Sequence, residues 1–564
     1  MSAKLLTALE QARDNYGEGC AEAKLVLLRR LGPLHLRTAG AVMRLHEALC
    51  FLRAYPDNAE VLTLVERMLA RFNRRADLGQ HRARLADSGI AGTVIRYRFY
   101  WSTACWFVRR WPGRLRLDRD DAEAGERIGA ALPLLLTVAE AAALRQVDLP
   151  GFASTDRVRA RAGRGASDAG FWVRLIASMP GDTFTRQNFH DRIDASYELR
   201  PGLDTPSRTH AWHPGAPVAF QTSPLDRSRP DLRAEIVRSP LAVRPVSERE
   251  GARVIELARG AMVTRARDLD AFAYGDPRDV RIVDDGAGFG FAVIGTVPER
   301  RTLIPAIYGY VGLKNGVPVS YGEVFAVGRF ASITFNVFET FRGGEAARIF
   351  GRVLAMAHQL FGAASFSLEP YQVGRDNDEA IASGAWWFYY KLGFRPLEAG
   401  PRRVLREELR QMKKNRSHRS SAANLRKLAE GPMLFDLDPG LRPALPPMAG
   451  VGLRVVDLLA VRAGTHGERE RAIGECRDEA MRLTGTASLS GCTRDERLAW
   501  ERWSTLLCTI PRVAQWSLAE RRALGAIVMA KAGRRESDYL ALLSAHPKLL
   551  RALCPSPRRR PGPN

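Results

Sequence analysis

The sequence predicts an α/β domain with a sheet of mixed strand direction, flanked by a helical N-terminal region and a helical C-terminal region. Three observations predict this fold class. Segments with alternating apolar residues, typical of half-buried strands, lie between positions 280 and 341. Residues 331–396 then continue as strand, glycine turn, helix, strand and helix. On both sides of this part, apolar residues recur at spacings of three and four, as they do along helices.

These patterns divide the 564 residues into five parts. We expect a helical N-terminal domain, an irregular connector rich in Pro, Arg and Gly, the α/β domain, a helical C-terminal region, and a disordered basic tail. Their respective ranges are 1–147, 148–240, 241–400, 401–555 and 556–564.

Composition excludes some classes of protein. The net charge is +23 and comes mostly from Arg, which can reflect genome base composition as well as nucleic-acid binding. The seven Cys are odd in number and never form C-x-x-C, which argues against a disulfide framework or a structural zinc site and indicates a reducing compartment. The N-terminus lacks the pattern of a signal peptide, and no apolar run has the length of a membrane span. We expect a cytoplasmic protein without a membrane span.

The N-terminal region contains helical patterns over 5–31, 35–55, 59–72 and 128–144. Between them, residues 98–117 interleave aromatic residues with Arg, a mixture that could stack on bases or lie on a membrane. The favoured interpretation is a buried helix face that includes Trp101 and Trp106.

The α/β domain begins with a helix over 247–274, a hairpin over 280–295 and strands over 304–313 and 317–327. A strand over 332–341 follows and is broken by Arg342-Gly343-Gly344. A helix over 345–361 then starts directly after the glycines. Such a junction directs several unpaired backbone N–H groups to one place, where an anion is favoured.

The end of this domain carries a motif. In AWWFYYKLGFRP, the residues of an A-x-x-x-Y-x-K-L-G-F pattern are Ala385, Tyr389, Lys391, Leu392, Gly393 and Phe394. Together with the strand, Arg/Gly loop and helix before it, this segment resembles the acyl-CoA-binding half of the GNAT superfamily of N-acetyltransferases, over about residues 280–396. The resemblance implies a GNAT-like mixed sheet and an N-acyltransferase activity.

Two departures from the family pattern are present. The family loop Q/R-x-x-G-x-G/A has Gly three residues after the basic residue, where this chain has Glu345 after Arg342. A carboxylate at that position would repel a pyrophosphate. In addition, Tyr389 follows the Asn377-x-x-Ala380 segment at a greater distance than in the family.

The resemblance implies roles for named residues. The donor, acetyl-CoA or another acyl-CoA, would be held by Arg342, Gly343, Gly344, Ala346, Ala347 and Asn377. Tyr389 would protonate the CoA thiolate, with Tyr390 as a neighbouring alternative. The base that takes the proton of the amine is expected to be Glu339, and Glu323 and Glu369 are alternatives. All three carboxylates could equally be surface or structural groups. No metal is expected, and the amine acceptor is not identified.

Two other functions stay open. One is a FemAB-like aminoacyl or peptidyl transferase, for which the basic surface would suit an aminoacyl-tRNA donor. The other is a catalytically degenerate GNAT fold that serves as a binding or scaffold module. The basic segment 402–427 is either a solvated helix face or a contact for RNA or another acidic partner.

Overall fold

The computed structural model describes residues 2–146, 167–214, 218–239, 241–438, 448–464 and 468–553. The N-terminal region starts with five helices: α1 (Ser2–Ala12), α2 (Cys20–Leu31), α3 (Ala39–Ala54), α4 (Ala59–Ala70) and α5 (Ala76–His81). The single helix expected over 5–31 is divided in two. Gly17 and Gly19, between α1 and α2, have φ angles of 118° and 73°, which no helix accommodates.

A small antiparallel sheet follows, with strand order β1-β3-β2. Its strands are β1 (Ile95–Tyr97), β2 (Leu115–Leu117) and β3 (Tyr197–Leu199). Five helices surround it: α6 (Trp101–Arg110), α7 (Ala122–Leu135), α8 (Val138–Gln146), α9 (Asp168–Ala177) and α10 (Thr183–Ile193). Trp101 and Trp106 of α6 are buried, as the favoured interpretation of the aromatic segment expects.

Regular structure is therefore present in the range 148–240, where we expected an irregular connector. It comprises α9, α10, β3 and a further helix, α11 (Leu232–Val237). Trp172 and Tyr197 are fully buried in the same core as Phe107, which lies more than 60 residues earlier. Contacts that distant in sequence hold these elements, so local periodicity did not reveal them.

The central sheet has ten strands, listed here in chain order: β4 (Ala242–Pro245), β5 (Gly275–Gly286), β6 (Phe289–Thr296), β7 (Ala306–Lys314), β8 (Val317–Val327), β9 (Phe330–Ile333), β10 (Asn336–Val337), β11 (Ser365–Leu368), β12 (Arg395–Pro396) and β13 (Met433–Asp436). Their spatial order is β12-β13-β11-β9-β8-β7-β6-β5-β4, and β10 pairs with β8. β9 and β11 are parallel, whereas their other neighbours run antiparallel. The α/β class with a mixed sheet is confirmed.

Helices cover both faces of this sheet. One face carries α12 (Glu248–Val263) and α13 (Asp270–Ala273). The other carries α14 (Ala346–Phe361), where Phe361 stacks on Tyr308 of β7 with ring centroids 4.6 Å apart. Four shorter or peripheral helices follow: α15 (Pro370–Val373), α16 (Asp378–Ser383), α17 (Ala385–Lys391) and α18 (Ala399–Lys414), with α19 (Ala422–Leu428) after them.

The C-terminal region is mainly helical, as expected, although β13 belongs to the central sheet. Its helices are α20 (Met448–Ala463), α21 (Arg469–Thr484), α22 (Arg494–Leu507), α23 (Leu518–Lys531), α24 (Glu536–Ser544) and α25 (Pro547–Leu553). Ser517 and Glu520 form the expected capping box at the start of α23. The backbone N–H of Glu536 donates to Asp279 of β5 at 3.1 Å, and that of Ser537 donates to Tyr308 at 2.7 Å. These buried bonds hold α24 against the sheet.

Within the described ranges, none of the helices combines the length and the apolar character that crossing a bilayer requires.

Candidate functional site

The candidate site lies at a break in the strand before the glycine turn. The strand expected over 332–341 is wrong in its extent: β9 ends at Ile333, β10 covers Asn336–Val337, and a short 3₁₀ helix, Glu339–Phe341, follows. Thr334 causes the break, because its carbonyl accepts from the Tyr310 hydroxyl at 2.6 Å and its own hydroxyl accepts from the backbone N–H of Glu323 at 2.8 Å. β10 stays beside β8 after the break, while β11 pairs with β9 before it.

A glutamine side chain bonds the backbone at the break between β9 and β10. The amide nitrogen of Gln372 donates to the carbonyl of Phe335 at 2.7 Å, and its oxygen accepts from the backbone N–H of Phe335 at 3.4 Å. The same nitrogen donates to the Tyr389 hydroxyl at 2.9 Å. Tyr389 is 3% exposed, and burial raises the pKa of its hydroxyl above the usual value. The hydroxyl is therefore protonated at neutral pH and lies beside the break.

The neighbouring tyrosine has different surroundings. Tyr390 stacks on Trp386 with ring centroids 5.4 Å apart, and the guanidinium of Arg395 lies 4.4 Å from its ring centre. Tyr389 instead packs edge-on against Phe350 of α14 at 5.2 Å. Successive helical residues point about 100° apart, and of the two, Tyr389 faces the break.

Glu323 of β8 lies across the break from these groups. Burial and the negative charge of Asp270 raise the pKa of its carboxyl to about 7, although the backbone N–H of Ala271 partly offsets them. A carboxylate with this pKa can take up a proton near neutral pH. The sequence had marked Glu323 as an alternative to Glu339, without a reason to prefer it.

Glu323 and Tyr389 belong to opposite faces of the sheet. Glu323 pairs with Gly309, beside which Phe272 of α13 packs. Tyr310 pairs with Gly322, one position along, so its side chain points to the α14 face. Burial raises the pKa of the Tyr310 hydroxyl, which donates to the Thr334 carbonyl at the break.

The other two carboxylates are less suited to proton transfer at the break. Glu339 is exposed on the 3₁₀ helix and lines a cavity together with Arg342. Glu369 is exposed as well and accepts from the Ser332 hydroxyl at 3.3 Å. Among the three carboxylates, Glu323 is the one that combines burial with a position at the break.

The glycine turn has the expected shape, and the carboxylate of Glu345 is buried beside it. Gly343 is exposed with a φ of 82°, and α14 begins at Ala346, with Ala346 and Ala347 half-buried in its first turn. Glu345, just before the helix, is 8% exposed and pairs with Arg348 at 3.1 Å. A buried carboxylate thus lies next to the helix N-terminus, where it disfavours a second anion.

Two of the remaining predicted donor-binding residues, Arg342 and Asn377, have their side-chain partners outside the first turn of α14. Arg342 forms an ion pair with Glu379 of α16. Asn377 caps the same helix, since its side-chain oxygen accepts from the backbone N–H of Ala380 at 3.1 Å and its nitrogen donates to the Tyr371 carbonyl at 3.1 Å. Gly344 is half-buried.

Arg342 contributes to a cavity of ≈ 380 Å³ on the α12 face, which we call the arginine cavity. Its charged lining residues are Arg208, Arg265, Arg267, Arg342, Asp87, Glu339 and Glu379. Most of the arginines have anionic or hydroxyl partners: Arg208 bonds Glu47 at 2.5 Å, and Arg267 bonds the Tyr321 hydroxyl.

Arg265 differs from Arg208 and Arg342 because it has no anionic partner among the described residues. Its guanidinium lies 3.7 Å over the ring of Phe338, and its Nη1 donates to the carbonyl of Ala261 at 2.8 Å and to the Thr264 hydroxyl at 3.5 Å. Its Nε has no hydrogen-bond partner among the described residues. Burial and the positive charge of Arg208 lower the pKa of Arg265 to about 9. An anion in the arginine cavity would relieve this unfavourable charge. No sequence motif marks Arg265, which lies 77 positions before Arg342.

Comparisons of this chain with family models, curated proteins and solved structures gave no match.

Proposed function

We propose that the chain is an acyl-CoA-dependent N-acyltransferase with a GNAT-like domain, and that the break between β9 and β10 is its reaction centre. The observation that supports this is a pair of groups on opposite faces of the sheet at one break. Glu323 has a pKa of about 7, and Tyr389 carries a buried, protonated hydroxyl.

The two groups suit the two proton transfers of acyl transfer. Glu323 takes a proton from the attacking amine as the nitrogen forms its bond to the acyl carbon. Tyr389 donates its proton to the sulfur as the carbon–sulfur bond breaks. The proton that Glu323 gains balances the one that Tyr389 loses. Gln372 acts as a positioning residue, because it donates to the Tyr389 hydroxyl and leaves the hydroxyl proton free to be transferred.

In this proposal the phosphates of the donor bind in the arginine cavity rather than at the helix N-terminus. Glu345 disfavours an anion at the first turn of α14, whereas Arg265 lacks an anionic partner among the described residues. Arg342 links the two places, since it follows the 3₁₀ helix and also lines the cavity. Arginine is well suited to phosphate groups because its donors form a planar fork.

Two measurements test the proposal. Calorimetric titration with acetyl-CoA measures donor binding, and release of free thiol in the presence of a panel of amines measures transfer. We expect the wild-type chain to bind acetyl-CoA and to release free thiol. Arg265→Met should weaken the binding, and Glu323→Gln should suppress the thiol release. Glu369→Gln is the control for Glu323→Gln. A chain that binds neither acetyl-CoA nor longer acyl-CoAs is not an acyltransferase of this type.

A second candidate is a GNAT-like fold that binds a partner without catalysis. Gln372 favours it, because its amide already satisfies the backbone of Phe335 at the break between β9 and β10. The absence of acyl-CoA binding in the wild-type chain, together with normal folding, would support this candidate over the first.

A further inference from the structure

A second cavity, of ≈ 390 Å³, opens between the small N-terminal sheet and the segment before α13. We call it the acidic cavity. Its lining residues are Tyr97, Arg98, Phe99, Tyr100, Asp191, Asp194 and Asp268. This volume is within the range of small-molecule sites.

Asp268 is the lining residue with a carboxylate oxygen that lacks a close hydrogen-bond donor among the described residues. It is 8% exposed, and its Oδ2 accepts from the backbone N–H of Tyr100 at 3.0 Å. Its Oδ1 is buried and has no close hydrogen-bond donor among the residues that the structure describes. Burial raises the pKa of the Asp268 carboxyl to about 7, although Thr103, the backbone N–H of Tyr100 and the charge of Arg259 partly offset this. A buried carboxylate oxygen without a donor is costly, so a ligand that donates hydrogen bonds would be stabilised there.

The cavity carries an excess of negative charge. Asp191 accepts from the backbone N–H of Trp101 at 2.8 Å and from the Tyr274 hydroxyl at 2.7 Å. Arg98 is the cation of the lining, and it is bonded to Asp194 at 2.7 Å and to Asp121 at 2.9 Å. Other arginines pair with these carboxylates from behind the lining: Arg127 lies 3.6 Å from Asp194, Arg300 lies 3.8 Å from Asp191, and the charge of Arg259 acts on Asp268. Counted with its neighbours, the network has six carboxylates and four guanidiniums, and this excess of negative charge favours a cationic ligand. The carboxylates are Asp121, Glu123, Asp191, Asp194, Asp268 and Asp270, and the guanidiniums are Arg98, Arg127, Arg259 and Arg300.

The shape and the walls indicate an organic cation. In the described ranges, no three His, Cys, Asp or Glu side chains are grouped closely enough to hold a metal ion. The aromatic rings of Tyr97, Phe99 and Tyr100 form the other walls. Aromatic faces attract ammonium groups, and methylene chains pack well against them.

The same features select among amines. An amino acid would bring a carboxylate, and Arg98, which already bonds Asp194 and Asp121, is not available to pair with it. A chain with more than one ammonium group would instead match the separated carboxylates of Asp194 and Asp268. We propose that the acidic cavity binds an aliphatic polyamine.

The acidic cavity lies on the side of the sheet to which Glu323 belongs. Asp268 of its lining is two positions before Asp270, the first residue of α13, and the negative charge of Asp270 helps to raise the pKa of Glu323. The identification of this polyamine as the acyl acceptor rests on the proposed function, whereas its binding does not.

Calorimetric titration with spermidine in the absence of any acyl-CoA tests the binding. We expect Asp268→Asn to weaken spermidine affinity at least tenfold. Asp478→Asn is the matched control, because Asp478 lines another open cavity, of ≈ 460 Å³, that lacks aromatic lining residues. 1,4-Diaminobutane should bind at least tenfold more tightly than lysine. Equal affinity of the wild-type chain and Asp268→Asn for spermidine, or equal binding of lysine and 1,4-diaminobutane, would overturn the proposal.

A second variant covers a failure of Asp268→Asn to fold. Tyr97→Leu removes an aromatic wall from a half-buried position, and it should weaken spermidine binding severalfold without changing thermal unfolding. Unchanged binding in this variant would count against the cavity. Spermidine binding without thiol release from acetyl-CoA would support polyamine binding in the acidic cavity and contradict the proposed transferase activity. Thiol release that depends on amines but not on Asp268 would support the transferase activity and overturn polyamine binding in this cavity.

Discussion

Gln372 donates to the hydroxyl of Tyr389 with the same amide nitrogen that donates to the carbonyl of Phe335, at 2.9 Å and 2.7 Å respectively. The position of the Tyr389 hydroxyl is thus tied directly to the backbone at the strand break. Because the amide donates, the Tyr389 oxygen acts as the acceptor in this bond, and its proton stays available for another acceptor.

Tyr389→Phe separates a catalytic role from a structural one. If Tyr389 protonates the leaving thiolate, we expect turnover to fall by roughly a hundredfold or more, with acetyl-CoA affinity nearly unchanged. Tyr390→Phe is the control and should be mild, because Tyr390 stacks on Trp386 away from the break. Small and equal effects of both substitutions in an active enzyme would remove Tyr389 from the mechanism.

Glu323→Gln should change the pH dependence of thiol release. Glu323 has its pKa raised from its ordinary 4.5 to about 7, so the wild-type rate should rise with pH through about 7 as the carboxylate forms. The variant should lose this rise and at least about a hundredfold in rate. If the rate of thiol release still rises through about pH 7 in Glu323→Gln, the base is another group.

The same shift has a consequence for stability, whose sign follows from proton linkage. Between pH 4.5 and about 7 the folded chain binds the Glu323 proton and the unfolded chain does not, so the free energy of unfolding falls as pH rises. The variant lacks this contribution. The free energy of unfolding of the variant minus that of the wild type should therefore be larger above pH 7 than at pH 4. Urea unfolding of both chains at both pH values measures this difference.

The parts of the fold that the sequence predicted well are those with long local periodicity. The strand expected over 317–327 is β8, Val317–Val327, and the helix expected over 345–361 is α14, Ala346–Phe361. β13 and the small N-terminal sheet were missed. Their strands have three or four residues and depend on partners far away in sequence, such as Glu198 opposite Arg96.

The residues of the candidate site can be named from the sequence, but the sequence does not choose among them. The motif indicates Tyr389, and the end of the expected strand indicates Glu339, with Glu323 and Glu369 as alternatives. What separates Glu323 from Glu339 is burial by α13, a helix whose contact with β8 no local pattern shows. Arg265 and Asp268 were missed for the same reason, because exposure and unpaired atoms are properties of the packed chain.

Gly322→Ala tests how closely the chain approaches itself at the strand break. A Cβ at Gly322 would lie 2.0 Å from the carbonyl oxygen of Thr334 and 2.5 Å from the Tyr310 hydroxyl. Since one of these neighbours is backbone, we expect a loss of about 1–3 kcal/mol or more in the free energy of unfolding. Gly400→Ala, on α18 with open space around it, should be neutral or slightly stabilising. Urea unfolding of both variants measures the difference.

The basic segment 402–427 gives a prediction about salt. Lys413, Lys414 and Arg416 are exposed at the end of α18. We expect single-stranded RNA to bind at low salt, with an affinity that falls steeply as salt rises, because each phosphate contact releases counterions. Changing these three residues to Gln should reduce the slope of that dependence. As a control, changing Arg469, Arg471 and Arg477 on α21 to Gln should leave the slope unchanged. If no RNA binds at low salt, segment 402–427 is a solvated helix face.

Arg265→Met tests the arginine cavity, and its expected effects on binding and stability have opposite signs. Burial and Arg208 lower the pKa of Arg265 to about 9, so its guanidinium stays charged at neutral pH but is less stable in the folded chain than in the unfolded one. Met fills a similar volume and can still pack on Phe338, so we expect a higher midpoint of thermal unfolding. Acetyl-CoA affinity should fall at least tenfold, because the cavity loses the guanidinium that lacks an anionic partner among the described residues. Arg477→Met, an exposed position on α21, should change neither quantity. If Arg265→Met lowers stability and leaves acetyl-CoA affinity unchanged, Arg265 serves the packing around Phe338, and the donor phosphates bind elsewhere.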